Sequence, residues 1–152
     1  MIVVRLVLAA ALTVSAVAVH AADPLYLGRW KLEAADVAPW ADRKPDPAEK
    51  NRLLGKVVTI DSKAIAGPQP FTCRKVAYKI SDATADLLFQ GAFGEMHDRD
   101  KSVDPLKLAA SVGFSGTSWK TLETGCEIDW HFADATTAKI GLNDFVYTLK
   151  KQ

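Results

Sequence analysis

Three short runs of alternating apolar residues occupy the C-terminal part of the chain. Between residues 126 and 132 every second residue is apolar, and acidic residues and a histidine fill the positions between them. Two more runs follow at residues 138–142 and 145–149, each after a turn. A period of two is typical of a half-buried strand, and tight turns join consecutive strands antiparallel. The segment from Gly125 to Leu149 therefore predicts a three-stranded antiparallel meander, a unit of barrels and sandwiches.

The two faces of this meander differ in chemistry. The residues predicted to face the core are Ile128, Trp130, Ile140, Phe145 and Tyr147. A slip of one residue would turn that whole set to solvent, so the register is strongly specified. Glu127, Asp129 and His131 share the opposite face of the first strand, and we expect solvent to cover that face.

Upstream segments predict more strands and two short helices. Shorter alternating runs predict strands at residues 26–33, 56–60 and 74–80, the last with Val76, Tyr78 and Ile80 on its buried face. The run from Asp46 to Glu49 is a capping box with a proline in the first turn, and Gly55 can end that helix. Asp104-Pro105 opens a second short helix, which Gly113 ends. Short helices between strands favour an all-β fold over β-α-β units, whose crossovers are longer.

The first residues have the pattern of a secretory signal peptide. Arg5 lies in a short basic start, an apolar run of about fourteen residues follows, and Val19-His20-Ala21 suits cleavage after Ala21. The run is shorter than the ~20 residues that span a bilayer, and no stop-transfer flank follows. An uncleaved amphipathic anchor is the alternative. We expect residues 1–21 to be a signal peptide and residues 22–152 to form a single periplasmic or secreted domain.

The charge of the chain excludes some partners. Lys and Arg number 19 and Asp and Glu 18, which leaves a formal net charge of +1. A nearly neutral chain has no broad electrostatic surface for nucleic acid or an anionic membrane. We therefore expect no nucleic-acid partner, and the short apolar run near the start of the chain predicts no stable membrane span.

Cys73 and Cys126 are the only cysteines. In an oxidising compartment an isolated, even pair favours one disulfide, which requires Cα atoms about 4.4–6.8 Å apart. A thiolate nucleophile or a metal pair is the alternative, but neither cysteine has a C-x-x-C partner or a neighbouring histidine.

Residue patterns that carry catalysis or metal binding are few. His131 and Asp129 lie two residues apart, so they could form a base with its orienting carboxylate, or a metal site with Glu127. Oxygen-bearing side chains alternate from Asp98 to Asp104 as in calcium loops, although valine stands where such a loop needs glycine. A solvated strand face and a charged loop are the simpler interpretations. We expect no catalytic residue, no bound metal and no cofactor, and the sequence leaves both metal alternatives open.

Gly28 and Trp30 in the first predicted strand form a glycine-x-tryptophan motif that resembles the signature of the lipocalin and wider calycin families. The resemblance implies a lipocalin-like antiparallel barrel of about eight strands, with the tryptophan at one end and the glycine allowing close approach beneath it. In those families an arginine near the last strand packs on the tryptophan, and Lys150 or Lys151 stands there in this chain. Bacterial secreted metalloprotease inhibitors begin with the same motif and are small barrels with one disulfide.

The segment from Ser115 to Lys120 is similar to the serine-glycine loop of periplasmic inhibitors of c-type lysozymes, which are also small barrels with a disulfide. This resemblance implies that Ser115, Ser118 and Lys120 enter the acidic cleft of a partner enzyme, with Lys120 meeting a catalytic carboxylate. Trp119 lies in the same segment and is a further candidate for partner contact.

Two functions from different classes fit these observations. The first is a non-catalytic binding protein for an exported protein, such as an inhibitor of a hydrolase. Trp40, which lies in a polar stretch outside any predicted strand, has the chemistry of an interface anchor or of a plug over the barrel mouth. The second is a carrier of a small apolar ligand inside the barrel. Bulky core residues favour the first, because they fill the interior.

Overall fold

A computed structural model describes residues 25–152, so the predicted signal peptide lies outside the described residues. Eight antiparallel strands form one sheet in the order β3-β2-β1-β8-β7-β6-β5-β4. The strands are β1 (Gly28–Val37), β2 (Val57–Ile60), β3 (Ile65–Ala66), β4 (Lys79–Thr84), β5 (Ser118–Glu123), β6 (Trp130–Asp134), β7 (Thr137–Leu142) and β8 (Phe145–Lys151). The sheet curls into a half-barrel, which confirms the predicted all-β class.

Three short helices accompany the sheet: α1 (Pro47–Leu53), α2 (Leu88–Arg99) and α3 (Pro105–Ser111), with a 3-10 turn at Ala85–Leu87. Both predicted N-caps are confirmed, because Asp46 accepts the Ala48 N–H at 2.9 Å and Asp104 accepts the Leu106 N–H at 2.9 Å. The sequence patterns did not predict α2. Within residues 25–152, no helix is both long and apolar enough to cross a membrane.

The predicted C-terminal meander is confirmed as β6, β7 and β8. Its five predicted core residues are all buried. Trp130 in β6 reaches Trp30 in β1 with ring centroids 6.1 Å apart, although β7 and β8 lie between these strands. A flat sheet would hold β1 and β6 about 14 Å apart, at ~4.8 Å per strand. The sheet therefore curls around this face, which we call the inner face.

The predicted strand at residues 74–80 is wrong, because β4 begins only at Lys79. The chain before β4 instead runs from the β3 edge of the sheet to the β4 edge. Phe71 inserts into the inner face beside Trp130, and the Tyr78 hydroxyl donates to the Asp61 carbonyl at 2.6 Å. Ile80, predicted on the buried face, is 37% exposed because it lies on the edge strand.

Cys73 and Cys126 form a disulfide, as predicted, with their Cα atoms 6.4 Å apart. Cys73 pairs with Ile65 of β3 in an isolated bridge, and Cys126 lies in the connection between β5 and β6. The bond therefore links opposite parts of the curled sheet where no strand pairing joins them.

Gly28 and Trp30 lie at the start of β1. The Trp30 ring is fully buried, and the Lys151 ammonium lies 5.5 Å from its centroid. Gly28 has a φ of +126°, and a Cβ built there would lie 3.4 Å from the Lys151 side chain. Of the two lysines at the end of β8, Lys151 is therefore the one that packs on Trp30.

The opposite side of the sheet, the outer face, is covered by α2, α3 and the turns around them. The expectation that solvent covers this face at β6 is wrong, since His131 is only 2% exposed. We call the apolar residues of this layer the outer cluster: Ala38, Ala83, Ala85, Leu88, Phe89, Phe93, Ala109, Val112, Phe114, Trp119 and Val146.

Candidate functional site

The partner-binding segment predicted at residues 115–120 is part loop and part strand. Ser118, Trp119 and Lys120 belong to β5, which pairs with β4 on one side and β6 on the other. The loop proper is Ser115-Gly116-Thr117, which we call the tip loop, and its three residues are exposed. Gly116 has a φ of +98°, which favours glycine, and a Cβ built there would meet no other atom within 4 Å, so the loop turns at an open position.

The base of the tip loop is held by aromatic residues of the outer cluster. Phe114 and Trp119 flank the loop, both are buried, and their rings lie 5.0 Å apart. The Trp119 indole N–H also donates to the Ser115 carbonyl at 2.8 Å. Trp119 is only 5% exposed, so it supports the loop and offers little surface for the direct partner contact that the sequence suggests.

Lys120 has a partner within the chain. Its ammonium donates to the Asp82 carboxylate of β4 at 2.9 Å, and this hydrogen bond raises the pKa of the lysine. The pair is exposed. Asp82 takes one of the three N–H donors of this ammonium, so the partner carboxylate that the inhibitor resemblance implies would share Lys120 with Asp82. The hydroxyls of Ser115 and Ser118 make none of the hydrogen bonds found among residues 25–152.

An apolar cleft of about 290 Å³ lies beside the tip loop, between the 3-10 turn and the start of α3. Thr117 forms part of its lining, together with Thr84, Ala85, Asp86, Asp104, Pro105 and Leu106. Leu106 is 46% exposed. The sequence pattern places Leu106 in a helix but gives no signal that its side chain is exposed. The cleft forms only when the helix start meets the 3-10 turn and Thr117, which lie elsewhere along the chain.

Trp40 lies on the outer cluster and not over the barrel mouth. Its ring contacts Phe89 and Phe93 at centroid distances of 5.2 and 6.0 Å, and its indole N–H donates to the Asn143 carbonyl at 2.7 Å. Gly141 of β7 leaves room for the ring, since a Cβ there would lie 3.0 Å from it. Trp40 is half-buried and presents only part of its ring to a partner.

His131 lies beneath the turn that begins α2. Its Nε2 accepts the Phe89 N–H at 2.9 Å, and its Nδ1 lies 2.8 Å from the Thr121 hydroxyl oxygen. Burial lowers the pKa of His131 to about 4. Because both ring nitrogens have partners inside the protein, His131 is not poised as a general base towards a substrate.

His131 belongs to a row of polar residues that crosses the outer face. Thr121, His131, Lys139 and Thr148 are consecutive register partners in β5, β6, β7 and β8. Lys139 is 8% exposed, donates to the Thr148 hydroxyl at 2.8 Å, and has its pKa lowered by burial. A buried polar row of this kind remains favourable only while its members keep their hydrogen bonds.

A cleft of about 310 Å³ opens beside His131 at the β4 edge of the sheet. Asp129 and Glu123 line it with His131, and burial and then the charge of Glu123 raise the pKa of Asp129. Lys79 donates to Glu123 at 2.9 Å and lowers the pKa of that carboxyl. Asp129 and His131 share the cleft, but none of the hydrogen bonds among residues 25–152 joins them.

The predicted metal alternatives lack a ligand set in the part of the chain that the structure describes. No group of three or more His, Cys, Asp or Glu side chains there converges on a point that could hold a metal ion. In the Asp98–Asp104 segment the carboxylates bind nearby groups, with Lys101 donating to Asp98 at 2.7 Å and the Ser102 hydroxyl donating to Asp100 at 2.7 Å. These contacts order the connection between α2 and α3.

The chain matches no protein-family model, no curated protein and no solved structure.

Proposed function

We propose that the protein is a non-catalytic, exported binding protein whose partner is another exported protein. An enzyme with an open active-site cleft, such as a hydrolase, is the partner class that a projecting loop fits best. One observation carries the proposal: the tip loop is exposed along its length, while Phe114 and Trp119 hold both of its ends in the outer cluster.

A loop held in this way loses little conformational entropy when a partner binds. Preorganisation of that kind raises affinity because ordering the loop costs less free energy at the moment of association. The apolar cleft at Leu106 adjoins the loop and could take an apolar side chain of the partner. Polar loop groups beside a small apolar centre match the usual composition of protein interfaces.

Ser115 and Ser118 are the residues that we expect to hydrogen-bond the partner. Lys120 is a third candidate, and its exposed ammonium would be shared between Asp82 and a carboxylate of the partner. Trp40, the remaining candidate, contacts Gly141 and Asn143 at the turn between β7 and β8, at the other end of the strands from the tip loop, so we do not include it in this surface.

The alternative function, a carrier of a small apolar ligand, has less support. The aromatic rings of Tyr26, Trp30, Phe71, Trp130 and Phe132 fill the inner face, with neighbouring centroids 4.4–6.3 Å apart. A ligand would have to displace them. Close-packed interiors resist such displacement, since each buried aromatic ring contributes several kcal/mol of stability.

Affinity capture tests the proposal. The purified protein is immobilised and exposed to the exported proteins of its own cells, and a captured protein is identified and titrated against the free protein by calorimetry. Ser115→Trp and Leu106→Ser should each weaken binding about tenfold or more, which corresponds to about 1.4 kcal/mol. If the partner is a hydrolase, its activity should fall as the protein is added.

Ser62→Trp is the matched control, because Ser62 is an exposed serine in the turn between β2 and β3, remote from the tip loop. It should leave the affinity unchanged. Equal weakening by Ser62→Trp and Ser115→Trp, or no effect of either Ser115→Trp or Leu106→Ser, would contradict the proposed surface. Native mass spectrometry of the same preparation that shows a retained lipid, without any protein partner, would support the carrier instead.

A further inference from the structure

The contact between Phe89 and His131 depends on the protonation of the imidazole. The Phe89 N–H donates to Nε2 at 2.9 Å, so Nε2 carries no proton in this arrangement. The hydrogen of the neutral ring then lies on Nδ1, from which it can reach the Thr121 hydroxyl at 2.8 Å. A second proton on the ring would have to go to Nε2, directly opposite the Phe89 N–H donor.

The turn that His131 holds has an unusual backbone. Phe89, Gln90 and Gly91 have φ values of 53°, 59° and 85°, all in the left-handed region. Residues other than glycine rarely adopt that region, and they do so only where the surrounding contacts impose it. The Gln90 side chain also donates to the Glu127 carbonyl at 2.7 Å, which is a second attachment of the turn to the sheet.

Phe89 is the central ring of the outer cluster. Its ring lies 5.2 Å from Trp40, 5.3 Å from Phe93 and 6.1 Å from Phe114 by centroid distance. Movement of Phe89 would therefore loosen the helices from the outer face and reach Phe114 at the base of the tip loop. The rings of the inner face lie on the other side of the sheet and do not contact Phe89.

We propose that His131 is an acid-sensitive switch for the outer layer, independent of what the tip loop binds. While the imidazole is neutral it accepts the Phe89 N–H and holds the left-handed turn in place. When the imidazole gains a proton at Nε2, two donors face each other, the hydrogen bond is lost, and the turn leaves its strained conformation. The outer layer then loosens while the inner face stays packed.

Burial and the charged groups around His131 set the pH range in which the switch acts. Burial lowers the pKa of His131 to about 4, so the ring stays neutral at neutral pH. On the cleft side it faces the carboxylates of Asp82, Glu123 and Asp129, and in the sheet it has Lys139 of β7 as its register partner. The turn from Leu88 to Gly91 carries no ionisable side chain. Asp129 also titrates in acid, so the test must separate its effect from that of His131.

The four tryptophans report separately on the two faces. Trp40 and Trp119 lie in the outer layer, and Trp30 and Trp130 fill the inner face. Proton–nitrogen NMR of the wild-type protein during acid titration should show the outer two indole N–H signals shifting and broadening with a midpoint near pH 4, together with the His131 ring signals. The inner two should keep their positions. If all four change together, the protein unfolds globally and the switch is refuted.

Variants assign the transition to one group. His131→Gln offers a neutral amide that does not titrate, so it should abolish the shift of the Trp40 and Trp119 signals near pH 4. Asp129→Asn and His97→Gln should both leave it in place. Persistence of the transition in His131→Gln, or its loss in Asp129→Asn, would overturn the proposal. If His131→Gln does not fold, the titration of the wild-type protein still tests the proposal. A midpoint for the His131 ring near the ordinary pKa of about 6.5, without a change in the Trp40 and Trp119 signals, would exclude the switch.

Discussion

The two faces of the same sheet are buried in different ways. The inner face is closed by the curling of the sheet itself and filled with aromatic rings, with Trp30 and Trp130 fully buried. The outer face is covered by added helices and keeps a row of hydrogen-bonded polar residues beneath them. The same sheet therefore buries its inner face mainly by apolar packing and its outer face by apolar packing combined with satisfied polar contacts.

The largest expected effect belongs to the inner face. Trp130→Ala should lower the free energy of unfolding by roughly 3–5 kcal/mol, because it removes a fully buried ring from a close-packed cluster. Urea denaturation measures the change. Ile80→Ala, at an edge position that is 37% exposed, is the control and should cost less than about 1 kcal/mol. Similar losses in the two variants would mean that the inner face is not the main core.

The disulfide should contribute almost as much to the closure of the inner face. It closes a loop of 53 residues, for which the chain-entropy model gives about 4 kcal/mol. The double variant Cys73→Ser, Cys126→Ser should lose about that much stability in the same denaturation assay. Reductant should destabilise the wild type and leave the double variant unchanged. Insensitivity of the wild type to full reduction would contradict this role.

The outer face should make stability depend on acid through His131. Its pKa of about 4 in the folded state lies below the ordinary value of about 6.5. As the pH falls between these values, the unfolded chain takes up a proton that the folded protein excludes, so stability declines, by about 3 kcal/mol in total. His131→Gln should lose correspondingly less stability over this range in urea denaturation. Parallel pH curves for the two proteins would show that the imidazole is not held neutral.

Removing a helix N-cap on each side of the sheet should give the smallest changes in stability, and it compares the two faces locally. Asp46→Ala and Asp104→Ala each remove an N-cap and should cost about 1 kcal/mol. The first affects α1, whose Leu53 joins the inner core, and the second affects α3, which covers the outer face. Only Asp104→Ala should alter the NMR signal of the Trp119 indole. A change at Trp119 in both variants would indicate that the two faces are coupled.

Parts of this molecule with strictly local causes were predictable from the sequence. The C-terminal meander was predicted from the alternation of apolar and polar residues along the chain. The starts of α1 and α3 were predicted from an aspartate followed directly by a proline. The Cys73–Cys126 bond joins distant residues, but it was predictable because the chain has only these two cysteines. The strand predicted at residues 74–80 was wrong. The apolar residues alternate there because Val76 and Tyr78 pack against the core as the chain crosses between the sheet edges, and no neighbouring strand pairs with residues 74–78.

The candidate sites depended more on the tertiary structure. The sequence indicated the segment from Ser115 to Lys120 but could not show that Trp119 is buried, that Lys120 binds Asp82, or that Leu106 lines a cleft beside the loop. Each of these contacts joins segments that lie far apart along the chain.

The sequence by itself determined which residues share a face, because side-chain direction along a strand depends only on the backbone period. It could not decide whether the second face is covered. That depends on residues 85–114, which show no continuous apolar period and fold over β5 to β8 through long-range contacts. His131 is the clearest case: its place on the polar face of β6 is local, whereas its burial and its bond to Phe89, 42 residues away, exist only once the layers assemble.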